Sequence, residues 1–174
     1  MIKFGPSGNG EAFYASGKST SKEASEYVKN LGLNCFEYSF GRGVTLSEKT
    51  AIEIGDAFKE NGVELSVHAP YFINFASVEE EKVQNSYGYL LKSLKYAKLM
   101  GANRVVFHPS TQGKLSRNEA VDLTVERLKN LAVLIDDNGY YDMLVCPETM
   151  GKVNQLGSLS EVMALCKVDE RIVP

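Results

Sequence analysis

A Ser or Thr followed three positions later by Glu recurs five times along the 174 residues, as Thr20/Glu23, Thr45/Glu48, Ser77/Glu80, Ser116/Glu119 and Ser158/Glu161. In a capping box the hydroxyl accepts from an unpaired N–H of the first helical turn, while the Glu reaches back to the cap residue. Five helix starts are therefore predicted. Their ends are marked by Gly32, Gly62, Gly101 and Gly139, each at a position where a left-handed residue satisfies the last carbonyls. Between starts and stops the apolar residues recur at helical spacing. Val83, Tyr87, Leu90, Leu91, Leu94 and Ala97 share one face, as do Val121, Thr124, Val125, Leu128, Leu131, Ala132 and Ile135.

After each of these glycines comes a short β-type run: Leu33 to Tyr38, Val63 to His68, Asn103 to His108 and Asp142 to Cys146. Ile2 to Phe4 reads as an earlier strand, and another begins near Arg171. Strand and helix alternate, so the class is α/β with parallel strands joined by right-handed crossovers. A doubly wound dinucleotide fold requires G-x-G-x-x-G after the first strand, and Gly5-Pro6-Ser7-Gly8-Asn9-Gly10 does not supply it. The alternative is a parallel (β/α) barrel of TIM type. With about five to six βα units of the eight a barrel needs, residues 1–174 are expected to form one domain, the N-terminal two-thirds of such a barrel. Its open edges are expected to favour association.

Composition narrows the setting. An apolar share of 44% with a net charge of −3 fits a packed core and excludes a generally basic nucleic-acid-coating protein. The N-terminus lacks a basic segment followed by an apolar stretch, and no apolar run reaches the ~20 residues of a membrane span, so a cytoplasmic location is expected. Cys35, Cys146 and Cys166 lack C-x-x-C spacing and read as reduced, mostly buried thiols. Ser16-Gly17-Lys18-Ser19-Thr20 imitates the tail of a phosphate-binding loop, but the motif's earlier Gly is replaced by Ala12. Thr20 reads as a helix cap, Lys18 as a loop cation, and no nucleotide cofactor is expected.

The only two histidines, His68 and His108, stand at the ends of successive predicted strands, and Glu148 stands at the end of the next. The three follow one another at equal intervals of 40 residues, about one βα unit each. Parallel α/β folds carry their sites at the C-terminal ends of strands, so the three side chains should meet on one rim. Two imidazoles and a carboxylate make a ligand set for Zn²⁺, or for Mn²⁺ or Fe²⁺, with a coordination position left for water or substrate. Pro70, Pro109 and Pro147 flank the three residues and restrict the adjoining backbone to extended geometry.

At these residues the chain resembles the endonuclease IV family of apurinic/apyrimidinic endonucleases. Val67-His68-Ala69-Pro70-Tyr71-Phe72-Ile73-Asn74-Phe75-Ala76-Ser77 is similar to that family's H-A-P-Y-x-I-N-x-A-S segment, Phe107-His108-Pro109 to its F-H-P, and Pro147-Glu148-Thr149-Met150-Gly151 to its glutamate-bearing strand end. The chain differs where the family carries His-Val-Ser on the first strand, having Gly5-Pro6-Ser7. The resemblance implies a xylose-isomerase-like barrel with up to three zinc ions. His68 and His108 would bind the first, and Glu148, as the catalytic residue, would bridge the first and second.

The implied reaction is hydrolysis of the phosphodiester 5′ to an abasic site in double-stranded DNA, and the complete family member is a monomer. The resemblance places Tyr71 and Phe72 in a loop that wedges the minor groove, and Arg42 in a loop that supplies a penetrating Arg. The predicted rim loops hold Lys18, Arg42, Lys114 and Lys152 against Glu11, a locally basic edge suited to phosphates. Two other readings remain open: a sugar isomerase or epimerase of the same barrel class using Glu148 and one metal, and a truncated chain with little or no turnover.

Overall fold

The computed structural model describes residues 2–174. In chain order it contains α1 (Glu11–Ala15), α2 (Ser21–Asn30), β1 (Cys35–Ser39), α3 (Glu48–Asn61), β2 (Glu64–His68), α4 (Glu80–Leu99), β3 (Arg104–Phe107), β4 (Ser110–Thr111), α5 (Arg117–Asp137), β5 (Leu144–Pro147), β6 (Gln155–Leu156) and α6 (Leu159–Leu165). β1, β2, β3 and β5 form one parallel sheet in that order, with Ser39 opposite His68, His68 opposite Val106 and Val106 opposite Cys146. Parallel bridges extend the sheet at both edges, Ser7 to Glu37 and Val145 to Ile172. The second of these falls where a strand is expected near Arg171, and consists of a single bridge.

The alternation of each strand divides its residues between two faces. Phe36, Leu65, Val67, Val105, Phe107 and Val145 point toward the helices and are buried with Phe58, Leu90, Leu94, Leu128, Leu131 and Ile135 in one cluster. The opposite face carries Glu37, Ser39, Ser66, His68, Arg104 and Val106, none of them buried. It is the barrel's inner side, and it is predominantly polar.

Three of the five expected capping boxes form, at Thr20/Glu23, Ser116/Glu119 and Ser158/Glu161. The other two are displaced. Ser47 rather than Thr45 caps α3, accepting from Thr50 N, and this leaves Glu48 free to pair with Lys95 at 2.6 Å. Ser77 accepts from Glu79 N at 3.1 Å, a turn closed two residues on, so α4 begins at Glu80 without a side-chain cap. Gly62 caps α3 in the left-handed region at φ 69°.

The expected strand at Ile2 to Phe4 does not form. Backbone bonds to β1 start at Phe4, whose O accepts from Cys35 N at 3.4 Å, and continue where Glu37 N donates to Pro6 O at 3.0 Å and Gly8 N donates to Glu37 O at 2.9 Å. Pro6 has no N–H to give, which breaks the ladder at that point. Gly5 packs directly on β1, and a Cβ there would collide with the backbone carbonyl of Cys35. All three cysteines are free, but only Cys146 is buried, while Cys35 and Cys166 are half-buried. Lys18 lies in the loop before α2, as expected of a loop cation, and its Nζ pairs with Glu26 at 2.8 Å. Among the described residues no helix is long and apolar enough to cross a membrane.

Candidate metal centre

Each of the three proposed ligands is carried where its strand ends. His68 is the last residue of β2, His108 follows β3, and Glu148 follows β5. The parallel register brings these ends together on the inner face. Glu148 Oε2 lies 3.0 Å from His68 Nε2 and 3.1 Å from His108 Nε2, and one ligand atom from each of the three falls within 4.8 Å of the others. The imidazole rings stand edge to face, with centroids 4.9 Å apart.

Hydrogen bonding fixes part of the chemistry. His68 Nδ1 is 2.8 Å from Ala69 O, and a carbonyl can only accept, so this nitrogen carries the proton. In the neutral ring Nε2 then presents a lone pair to a carboxylate oxygen that also presents a lone pair. Only a cation between them, proton or metal, makes the contact favourable. His108 is shifted below the ordinary imidazole range, first by burial and then by the neighbouring His68, with Lys152 acting in the same direction against the opposing pull of Glu148. A neutral imidazole is the ligand form. The donor set therefore fits a divalent transition metal.

The cluster opens into a cleft of about 380 Å³ lined by Ser7, Glu37, Ser39, Gly41, Ala69 and Tyr71 besides the three ligands. A larger cleft of about 470 Å³ lies at the opposite ends of the strands, beside Gly62 and Gly101, and contains no convergent ligand group. Of the residues expected to meet DNA, only Tyr71 lines the metal cleft. Its ring and that of Phe72 are 4.4 Å apart, and the two are 50% and 46% exposed, so together they form an apolar tip on the rim. Tyr71 N donates to Gly41 O at 3.2 Å, which seats this tip against the loop bearing Arg42. Arg42 and Lys114 are exposed outside the cleft lining. With Lys152 they form no ion pair among the described residues.

Glu37 and Ser7 were not anticipated as site residues. Ser7 Oγ donates to Glu37 Oε1 at 2.7 Å on the cleft wall. The available signal was a carboxylate at the centre of an otherwise apolar run, Cys35-Phe36-Glu37-Tyr38, on the same strand face as Ser39. A second unanticipated feature ties two of the ligand-bearing segments together. β4 and β6, both within expected rim loops, pair antiparallel and join the segment after His108 to the segment after Glu148.

Known proteins resemble the chain in sequence and in fold. An uncharacterized protein of Methanocaldococcus jannaschii is 34% identical over 149 residues, 83% of this chain and 51% of that protein. A protein of Mycoplasma genitalium named "Probable endonuclease 4" is 36% identical over 110 residues, 63% of this chain and 35% of that protein. The chain thus spans about half, or less, of the length of the curated relatives it matches. Among solved structures, a D-psicose 3-epimerase superposes with a TM-score of 0.73 at 16% identity, over 89% of this chain and 57% of that one. Endonuclease IV from Thermus thermophilus superposes with a TM-score of 0.61 at 24% identity, over 92% and 56%. At such identities the structural matches establish the TIM-type fold. Residues 25–170 match the family model described as "Xylose isomerase-like TIM barrel", and the chain belongs to that family.

Proposed function

We propose that these residues are the N-terminal two-thirds, in one domain, of a zinc-dependent deoxyribonuclease of the endonuclease IV type, cleaving double-stranded DNA 5′ to abasic sites. The observation that carries the reading is the convergence of His68 Nε2, His108 Nε2 and Glu148 Oε2 beside an exposed aromatic tip. The names of the curated relatives support the DNA substrate. Zn²⁺ bound here, alone or with further ions, would supply Lewis acidity and a hydroxide nucleophile at neutral pH. Mn²⁺ or Fe²⁺ also suits the donor set.

The chain's own contribution is to position the groups. Ala69 O orients His68 so that Nε2 faces the site, and Glu148, within reach of both imidazoles, holds the negative charge that a cation requires. Tyr71 and Phe72 present a wedge for the minor groove, and Arg42, Lys114 and Lys152 attract phosphates. A cytoplasmic, monomeric complete protein without a nucleotide cofactor accompanies this reading. The 174 residues alone supply three ligands and are expected to turn over slowly or not at all.

A second reading, a sugar isomerase or epimerase, is favoured by Glu37, which adds a carboxylate to the cleft wall. The test is incision of a duplex containing a tetrahydrofuran abasic analogue, with Zn²⁺, by a protein extending beyond Pro174 and by residues 1–174. Incision by the longer protein supports the nuclease. Ketose–aldose exchange or ketose epimerisation without incision supports the second reading, and rapid incision by residues 1–174 contradicts the expected low turnover.

A further inference from the structure

We propose that Asn74 is a positioning residue that fixes the two histidine-bearing segments to one another, and so sets the separation of His68 and His108. The inference rests on the metal reading above, and it concerns a side chain that touches none of the three ligands' bonding atoms.

The loop leaving β2 and the segment leaving β3 are separate stretches of backbone, and one side-chain amide spans them. Asn74 Nδ2 donates to Thr111 Oγ1 at 2.9 Å, while Asn74 Oδ1 accepts from Thr111 N at 3.2 Å. The same oxygen accepts from Ala76 N at 3.2 Å, and Asn74 N donates to Ser86 Oγ at 3.0 Å. Both lone pairs of Oδ1 are thus used. Phe75 N donates at 3.3 Å to the carbonyl of Pro109, the residue directly after His108. From the other side Arg127 Nη1 donates to Phe75 O at 2.5 Å and to Ser77 O at 2.7 Å.

The paired contacts to Thr111 fix direction as well as distance, as two parallel hydrogen bonds resist rotation where one does not. Asn74 lies six residues after His68 and Thr111 three after His108, so the amide closes a short circuit of backbone through both ligands. Thr111 also lies in β4, which pairs with β6 beyond Glu148, and the lock therefore extends to the third ligand. An Asn74→Ala change leaves Thr111 N without its acceptor, so the segment after His108 must relax.

The test uses the 174-residue chain with Zn²⁺, its affinity read by competition with a chromophoric chelator, and Co²⁺ spectra reporting ligand geometry. Asn74→Ala is expected to raise the Zn²⁺ dissociation constant by roughly 10-fold or more, the range seen for groups supporting metal ligands. Thr111→Val, which removes only the hydroxyl, is expected to shift in the same direction and to alter the Co²⁺ spectrum, whereas Thr111→Ser restores both. In the metal-free chain, Asn74→Ala is expected to speed amide hydrogen exchange at 73–77 and 109–112 together. Unchanged Zn²⁺ affinity in both variants overturns the proposal. If the parent chain binds no Zn²⁺, the metal reading fails, and the exchange data decide separately: unchanged protection at 109–112 in Asn74→Ala overturns the lock. If Asn74→Ala does not fold, Thr111→Val decides by the same measurements.

Discussion

His68 donates its Nδ1 proton to the carbonyl of its own chain neighbour Ala69 at 2.8 Å, and this local bond dictates which ring nitrogen faces Glu148, 80 positions away. The arrangement is set within two residues at the strand end, before any metal binds. His68→Ala and His108→Ala are each expected to weaken Zn²⁺ binding by about 100-fold or more, since each removes one of three ligands rather than a supporting group. Melting temperature of the metal-free chain should change little. Chelator competition checks the affinities, and parent-like values in either variant contradict the site.

Burial and the adjacent His68 lower the affinity of His108 for protons. A histidine whose folded-state value is depressed contributes stability above its ordinary value near 6.5, and that contribution is lost as pH falls below it. Metal-free protein should therefore show His108 titrating with a midpoint below the ordinary imidazole value. An imidazole proton titration by NMR reports this directly. A midpoint at or above that ordinary value would refute the stated cause.

Arg117 holds Glu161 at about 2, chiefly through their direct hydrogen bonds at 2.5 and 2.8 Å. The same guanidinium donates to Val153 O and Gln155 O, so the pair suspends the loop between β5 and α6. Because the folded-state value lies below the ordinary 4.5, the stabilisation is complete above 4.5 and is lost as pH falls toward 2. Glu161→Gln should flatten that acid limb in thermal melts taken across pH. An unchanged slope would show that other carboxylates govern it.

Tyr71 and Phe72 are about half exposed and make their closest ring contact with each other. Replacing both with Ala is expected to leave the melting temperature within a few degrees. It should weaken binding to abasic duplex by roughly 10-fold, in line with the ~1–3 kcal/mol per stacked base of other aromatic platforms. Fluorescence anisotropy with abasic and intact duplexes separates a wedge from simple surface contact, since the wedge predicts a larger loss on the abasic DNA.

Gly55 packs so tightly on α4's C-terminal turn that an added Cβ would meet Met100 O at 2.4 Å. Gly55→Ala should destabilise the chain by about 1–3 kcal/mol despite its higher helix propensity, because the obstructing atom is backbone. Urea unfolding measures the sign, and a stabilised variant would mean the helices separate at little cost.

The features legible in the sequence were those set by local chemistry. Gly62 and Gly139 ended helices as expected, and the equal spacing of His68, His108 and Glu148 foretold their convergence because each βα unit has nearly the same length. Features that depend on competing local partners were misplaced by a few residues. Thr45 has the Glu three positions on that the capping-box pattern asks for, yet Ser47, directly before α3, supplies the cap by accepting from Thr50 N. The pairing of β4 with β6 rests on two residues from each segment, too few for any periodicity to show. Glu37 was visible only as an alternation on a strand whose inner side could not be recognised until its neighbours were in register.

The polarity of the sheet's inner face bears on how such a chain is made. A sheet lined there by Glu37, Ser39, Ser66 and Arg104 gains little hydrophobic stabilisation when that side is closed and incurs little penalty while it stays open. The outward face, with Phe36, Val67, Phe107 and Val145, supplies the apolar burial. Helices can therefore dock onto successive strands in the order in which they leave the ribosome, each βα unit consolidating on the last without waiting for ring closure. On that view the metal ligands are assembled vectorially, with His68 in place before His108 and Glu148 arriving last.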